Sequence, residues 1–246
     1  MSSENPVTGA PIKNLLVDLD GTLLGNRSVF LSLDFVGKAV STLKMYGSWS
    51  TAARTLLAIY REFRVPSAQL TNDVRVIELF SKRMKLEPTE GRRVLREAVQ
   101  AIFPQLEKHF FPIEGAREFL DWAKEHYPLT LATNPVWPSE IMNLRLKWAG
   151  IDPEVFSFVT DVRIMQACKP SPAYYQQILK NREYRAEDCL LIGNDLKMDL
   201  PASRVGIRVF IVGNFETMEE LPVPTGSAKA WKGNYSHLKT LLAGMT

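Results

Sequence analysis

The chain has 246 residues, 46% hydrophobic and 23% charged, with a formal net charge of +3, too small a surplus to argue for nucleic-acid binding. No apolar run approaches the roughly 20 residues that span a bilayer. Met1–Asn14 is polar, carries Pro6 and Pro11, and lacks the apolar segment of a secretory leader. It reads as a short disordered arm. Two cysteines, Cys168 and Cys189, offer neither a disulfide framework nor metal-binding Cys/His spacing, so the expectation is a reduced, cytoplasmic setting.

Leu15-Leu16-Val17 predicts a buried strand, stopped by the turn-former Gly21. Asp18 and Asp20 therefore sit at a strand's C-terminal end, where open α/β sheets bind ligands. Residues two apart in an extended backbone face the same way. Asp18 can thus act as a nucleophile with the Asp20 carboxyl beside it for proton transfer. Taken alone, the same residues also describe a strand that ends in an acidic turn.

Gly25-Asn26, between Leu23-Leu24 and Val29-Phe30-Leu31, predicts a small hairpin flap near this site. Helical periodicity then takes over. Ala53, Leu56, Leu57, Tyr60 and Phe63 share one face, as do Val76, Ile77, Phe80 and Met84. A third stripe, Leu95, Ala98, Val99, Ile102 and Leu106, follows Pro88. These stripes predict about four helices packed as a small bundle. Residues 26–110 hold 14 basic and 8 acidic side chains, against 16 and 19 in the remainder. Solvated helix faces account for such a surplus; a cover that attracts anionic substrate is the functional alternative.

From Phe111 strands and helices alternate. Helices are expected at Ala116–His126, Ser139–Ala149 (ended by Gly150), Pro172–Lys180 and, briefly, Ala202–Val205. Strands are expected at Leu129–Ala132, Phe156–Thr160, Leu190–Gly193 and Arg208–Val212, the last closing the sheet. Leu221–Gly226, with Pro222 and Pro224, reads as a loop, and Tyr235–Leu242 as a final helix. This alternation implies right-handed crossovers and a parallel sheet. Thr133-Asn134 ends one strand, and Lys169 precedes a helix start. Asp195 ends another strand, with Asp199 four residues on.

Four segments in order, Val17-Asp18-Leu19-Asp20-Gly21-Thr22, Leu129–Asn134, Cys168-Lys169-Pro170-Ser171-Pro172 and Leu190–Asp195 with Asp199, resemble the motifs of the haloacid dehalogenase (HAD) superfamily. The resemblance implies an α/β fold: a Rossmann-like parallel-sheet core from residues 1–27 and 111–246, with a mobile helical cap, residues 28–110, inserted after the first strand. It implies a magnesium-dependent phosphatase acting on a small phosphorylated metabolite, with neither nucleic acid nor membrane as partner. Asp18 matches the nucleophile that becomes an aspartyl-phosphate, and Asp20 the general acid/base. Thr133 matches the hydroxyl that binds the phosphoryl group, helped by the Asn134 amide, and Lys169 the lysine that pairs with Asp18 and the phosphoryl oxygens. The metal set would be the Asp18 carboxylate, the Asp20 backbone carbonyl and Asp195, supported by Asp199.

The second aspartate favours phosphate esters, because the dehalogenase branch attacks carbon and does not carry it. One departure concerns the fourth motif, which usually begins Gly-Asp: here Asn194 separates Gly193 from Asp195. A divalent ion's preference for charge favours Asp195, whereas a slipped register would turn Asn194 toward the metal. A sugar-phosphate mutase of the same superfamily, or a non-catalytic phospho-acceptor protein on this fold, is the alternative. Neither substrate identity nor oligomeric state is legible in the sequence.

Overall fold

Asn14–Val17 (β1) is buried along its whole length, as expected of a strand flanked on both sides and covered on both faces. In this computed structural model, which describes residues 11–245, β1 pairs in parallel with Leu129–Leu131 (β4) and Cys189–Gly193 (β6). Phe156–Val159 (β5) lies outside β4, and Arg208–Val212 (β7) outside β6. The expected N-terminal arm falls mostly outside the described residues; within them, Ile12 is already buried and Asn14 belongs to β1.

Side chains alternate across the sheet. Leu15, Val17, Leu190 and Ile192 pack with Ala116–Ala123 (α5), Ser139–Trp148 (α6) and Tyr235–Ala243 (α8). Leu16, Leu191 and Val209 face Pro172–Arg182 (α7) and the 3₁₀ segment Leu200–Val205 on the other side. This two-sided burial is why the strands read as unbroken apolar runs. The sheet does not end at β7. Glu219–Leu221 (β8) and Ala230–Gly233 (β9) extend it, β9 parallel to β7 and β8 antiparallel on the edge. With two glutamates and a proline just beyond it, β8 has the charged, short character of an edge strand and little apolar signal.

The predicted hairpin forms differently. Leu24–Asn26 (β2) pairs with Phe110–Pro112 (β3), while Val29–Leu31 lie in the opening turns of Ser28–Leu43 (α1). The chain thus leaves the sheet along β2 and returns along β3. Gly25 lets them meet, since a Cβ there would stand 2.2 Å from the Phe111 ring. Between them, α1, Trp49–Glu62 (α2), Asn72–Met84 (α3) and Pro88–Ile102 (α4) share an apolar interior that includes Val40, Leu43, Phe80, Met84, Ala98 and Ile102. The buried face of α2 is Ala52 and Thr55. The expected Leu57 and Tyr60 remain 48% and 56% exposed. Small residues let α3 approach closely there, with Thr55 Oγ1 3.8 Å from Met84 Sδ.

This bundle is tied to the sheet side by backbone hydrogen bonds from Ser67, Asn72 and Asp73 to the carbonyls of Gln166, Met165 and Val162. Trp137 adds an aromatic contact, its ring centroid 5.5 Å from that of Phe35 and 4.7 Å from that of Phe103. Phe80, fully buried at the bundle centre, gives a direct test of that interior. Phe80→Ala should destabilise the protein by about 3–5 kcal/mol in denaturant melts; a loss below about 1 kcal/mol would show that the bundle is not packed around it.

Candidate active site

The chain runs β1, β4, β5 to one side and then crosses to β6 and β7 on the other. That reversal leaves a crevice beyond the C-terminal end of β1, where such sheets bind ligands. Asp18 follows β1 directly, Thr133 and Asn134 follow β4, and Asn194 and Asp195 follow β6. Three strand ends therefore converge with their polar residues on one edge.

Lys169 joins them. Its Nζ donates to Asp18 Oδ1 at 2.8 Å and to Asp199 Oδ1 at 2.6 Å, with only 2% of the lysine side chain exposed. Asp199 Oδ2 accepts the backbone N–H groups of Asn194 and Asp195 at 3.1 and 3.0 Å. Asn134 Oδ1 accepts the Lys169 N–H at 2.9 Å, so the acceptor end of that amide holds the lysine's backbone. The Thr133 carbonyl accepts from Thr160 Oγ1 and from Tyr174 Oη, while its hydroxyl bonds to none of the described residues. The loop is thereby held at its backbone with a hydroxyl to spare.

The charges do not balance. Burial would depress the Lys169 ammonium, but the carboxylates of Asp18 and Asp199 more than offset this and hold its pKa well above the usual lysine range. Asp18 moves up to about 7: its own burial, with Asp199 and Asp20 nearby, outweighs the single lysine. One further cation would correct the deficit. The oxygens that the motif resemblance assigns to such a cation, the Asp18 carboxylate, the Asp20 carbonyl and one from the fourth motif, are hard donors. Among the described residues no three His, Cys, Asp or Glu side chains converge. Such a sparse set suits an ion that keeps much of its own water, as magnesium does.

The two candidates in the fourth motif face different ways. Asp195 Oδ1 accepts the N–H groups of Lys197 and Met198, closing its own exposed turn. Asn194 instead lies against Gly21, and its Oδ1 is 3.4 Å from Thr22 Oγ1, itself 3.4 Å from Asp18 Oδ2. The bend after Gly193, where Asp199 reaches back to two successive amides, turns Asn194 toward the Asp18 loop. The Asp20 side chain also has an unforeseen partner, the buried Arg145 of α6. Tyr235 of α8, equally absent from the motifs, donates to the Thr22 carbonyl at 2.6 Å and supports the loop from behind.

A family model described as haloacid dehalogenase-like hydrolase matches residues 12–205, and the chain belongs to this hydrolase family. Solved structures with the same fold include a HAD phosphatase from Thermococcus onnurineus, 18% identical over 95% of this chain and 99% of that one, TM-score 0.57. A 2-haloacid dehalogenase from Pseudomonas syringae pv. tomato is 16% identical over 96% and 100%, TM-score 0.61. A putative HAD-hydrolase from Bacillus subtilis, bound to magnesium, is 18% identical over 94% and 99%, TM-score 0.54. No curated protein matches the sequence significantly.

The excess negative charge predicts a pH signature in the metal-free protein. Asp18 titrates near 3.8 when unfolded and about 7 when folded, so the folded state binds an extra proton between them and loses stability as pH rises through that window. Asp18→Asn removes the effect. Its melting temperature should exceed that of the wild type at pH 8, with the gap closing as pH falls toward about 4. A wild type that melts higher at pH 8 without metal would contradict this electrostatic account.

Proposed function

We propose that this hydrolase is a magnesium-dependent phosphatase that cleaves a small phosphorylated metabolite through an aspartyl-phosphate at Asp18. The observation that best supports the reading is the pair of carboxylates on one loop: Asp18 buried against Lys169, Asp20 with its side chain 45% exposed. A nucleophile and a proton carrier are both needed to break a phosphate ester that leaves as an alkoxide. Attack on carbon needs only the first.

In the first step an Asp18 oxygen attacks phosphorus, the bond from phosphorus to the ester oxygen breaks, and its electron pair takes a proton from Asp20. The alcohol departs and the phosphoryl group stays on Asp18. In the second step Asp20 accepts a proton from water as the water oxygen attacks phosphorus; the bond to Asp18 breaks and inorganic phosphate leaves. Lys169 holds Asp18 Oδ1 and so restricts rotation of the carboxylate. Its ammonium, the Thr133 hydroxyl and the Asn134 amide nitrogen are the groups suited to the phosphoryl oxygens. A magnesium ion held by Asp18, the Asp20 carbonyl and Asn194 would supply the charge that lets an anionic nucleophile approach a phosphate dianion.

Residues 28–110 serve in this reading as a cap over the crevice, its basic surplus suited to an anionic substrate. Residues 1–27 and 111–246 form the catalytic part. A screen of phosphorylated metabolites with magnesium tests the proposal. Asp18→Asn should lower turnover on the order of 10³-fold or more while the fold persists. Chelation should stop hydrolysis and added magnesium restore it. A folded Asp18→Asn protein retaining a tenth of the wild-type rate would sink the covalent mechanism. The geometry of the fourth motif gives a separate expectation: Asn194→Ala should raise the magnesium concentration needed for half-maximal rate more than Asp195→Ala does. The reverse ranking would return the ligand role to Asp195.

A further inference from the structure

We propose that Arg145 is a positioning residue for Asp20, and that it ties the orientation of that carboxylate to the strand by which the helical bundle rejoins the sheet. The inference rests on the phosphatase reading, in which Asp20 carries the proton. Arg145 is 4% exposed and occupies the buried face of α6 together with Ile141, Met142 and Leu146. Its Nη2 donates to Asp20 Oδ1, its Nη1 lies 3.9 Å from Met142 Sδ, and its Nε is buried with no hydrogen-bond partner. Asp20 is its only ion-pair partner among the described residues. A buried guanidinium left without its one carboxylate is strongly unfavourable, so Arg145 draws Asp20 into a single orientation.

The guanidinium also contacts the strand by which the bundle rejoins the sheet. Its carbon lies 5.3 Å from the centroid of the Phe110 ring, within the range of a cation–π contact. Phe110 opens β3, and Asp20 itself bridges to Leu24, the first residue of β2. Asp20, Arg145 and Phe110 therefore form one contiguous chain of contacts across the two strands that connect the bundle to the sheet. A shift of those strands moves Phe110 on the guanidinium and with it the carboxylate. A proton carrier works only within hydrogen-bond reach of the leaving oxygen, so such a shift governs whether Asp20 is in place.

The test compares two substrates: a simple alkyl phosphate, whose leaving oxygen needs a proton, and p-nitrophenyl phosphate, whose leaving group departs as an anion. Arg145→Met should lower kcat/KM on the alkyl ester by about 10- to 100-fold and on the aryl ester by about 3-fold or less, because kcat/KM reports the transfer to Asp18 alone, in which only the alkyl leaving group needs a proton from Asp20, whereas kcat on either ester also falls where hydrolysis of the aspartyl-phosphate is limiting. Arg145→Lys, which keeps the charge, should recover part of the alkyl-ester rate. Adding Arg145→Met to Asp20→Asn should cost nothing further. Equal losses in kcat/KM on the two esters, or additive losses in the double variant, would overturn the proposal. A wild type that hydrolyses neither these esters nor any phosphorylated metabolite of the screen with magnesium defeats the phosphatase reading instead. Arg145 is then decided by thermal melts of the wild type, Asp20→Asn, Arg145→Met and the double variant. Non-additive shifts support the positioning contact, and additive shifts refute it.

Discussion

Lys169 carries its ammonium to a place where the side chain is 98% covered, which is tolerable only because Asp18 and Asp199 stand 2.8 and 2.6 Å away. Breaking one partner out of a buried charge network typically costs about 3–5 kcal/mol, because the remaining charge has no water to turn to. Here the loss of the lysine would leave two buried carboxylates facing each other. Asp199 cannot swing away, since its second oxygen holds the amides of Asn194 and Asp195. Nor can the lysine backbone move freely, with its N–H on Asn134. The ends of β1, β4 and β6 and the start of α7 are thus held by one network, and the crevice between them has its shape because that network must be satisfied.

The parts of this site that could be read in the sequence share one property: each follows a buried strand or precedes a helix with clear boundary signals. Asp18, Thr133 and Lys169 are of that kind. Asn194 and Asp195 show where such reading ends. A displacement of one residue at a strand end sends a side chain the opposite way, and the residue that sets the bend, Asp199, acts through backbone amides that no pattern displays. Arg145 left a trace, a charge on the otherwise apolar stripe of Ile141, Met142 and Leu146, but its partner lies in a distant loop. Tyr174 and Tyr235 left none, since buried tyrosines read as core until their hydroxyls find a carbonyl. The same reasoning covers the fold. Strands with apolar runs were legible, whereas β8 and β9, short and partly charged, were not. The β2–β3 pairing joins residues on either side of the whole bundle, and a nearer partner looked just as good in sequence.

The bundle's basic surplus has a definite distribution. Most of its acidic residues already have partners inside the segment: Glu62 with Arg75, Asp73 with Arg92, Glu90 and Glu97 with Arg93, and Asp34 with Lys38, Lys108 and His109. Arg61, Arg83 and Arg96 have no ion-pair partner among the described residues. Lys44, Lys82 and Lys85 have none there either, so the uncompensated charge resides on exposed arginines and lysines of the bundle surface, where it raises the potential felt by approaching anions at low ionic strength and is screened beyond about 8 Å at physiological salt.

The bond from Tyr235 to the Thr22 carbonyl spans 213 residues of chain. The loop that carries Asp18 is therefore synthesised well before its prop on α8. Both strands that flank β1, β4 and β6, also follow it by more than a hundred residues, and non-local pairings of this kind close slowly. A nascent chain therefore displays its paired carboxylates long before the framework that orders them exists. Assembly of the crevice waits until α8 has been made, and any truncation that removes α8 leaves the Asp18 loop without the contact that fixes its far side.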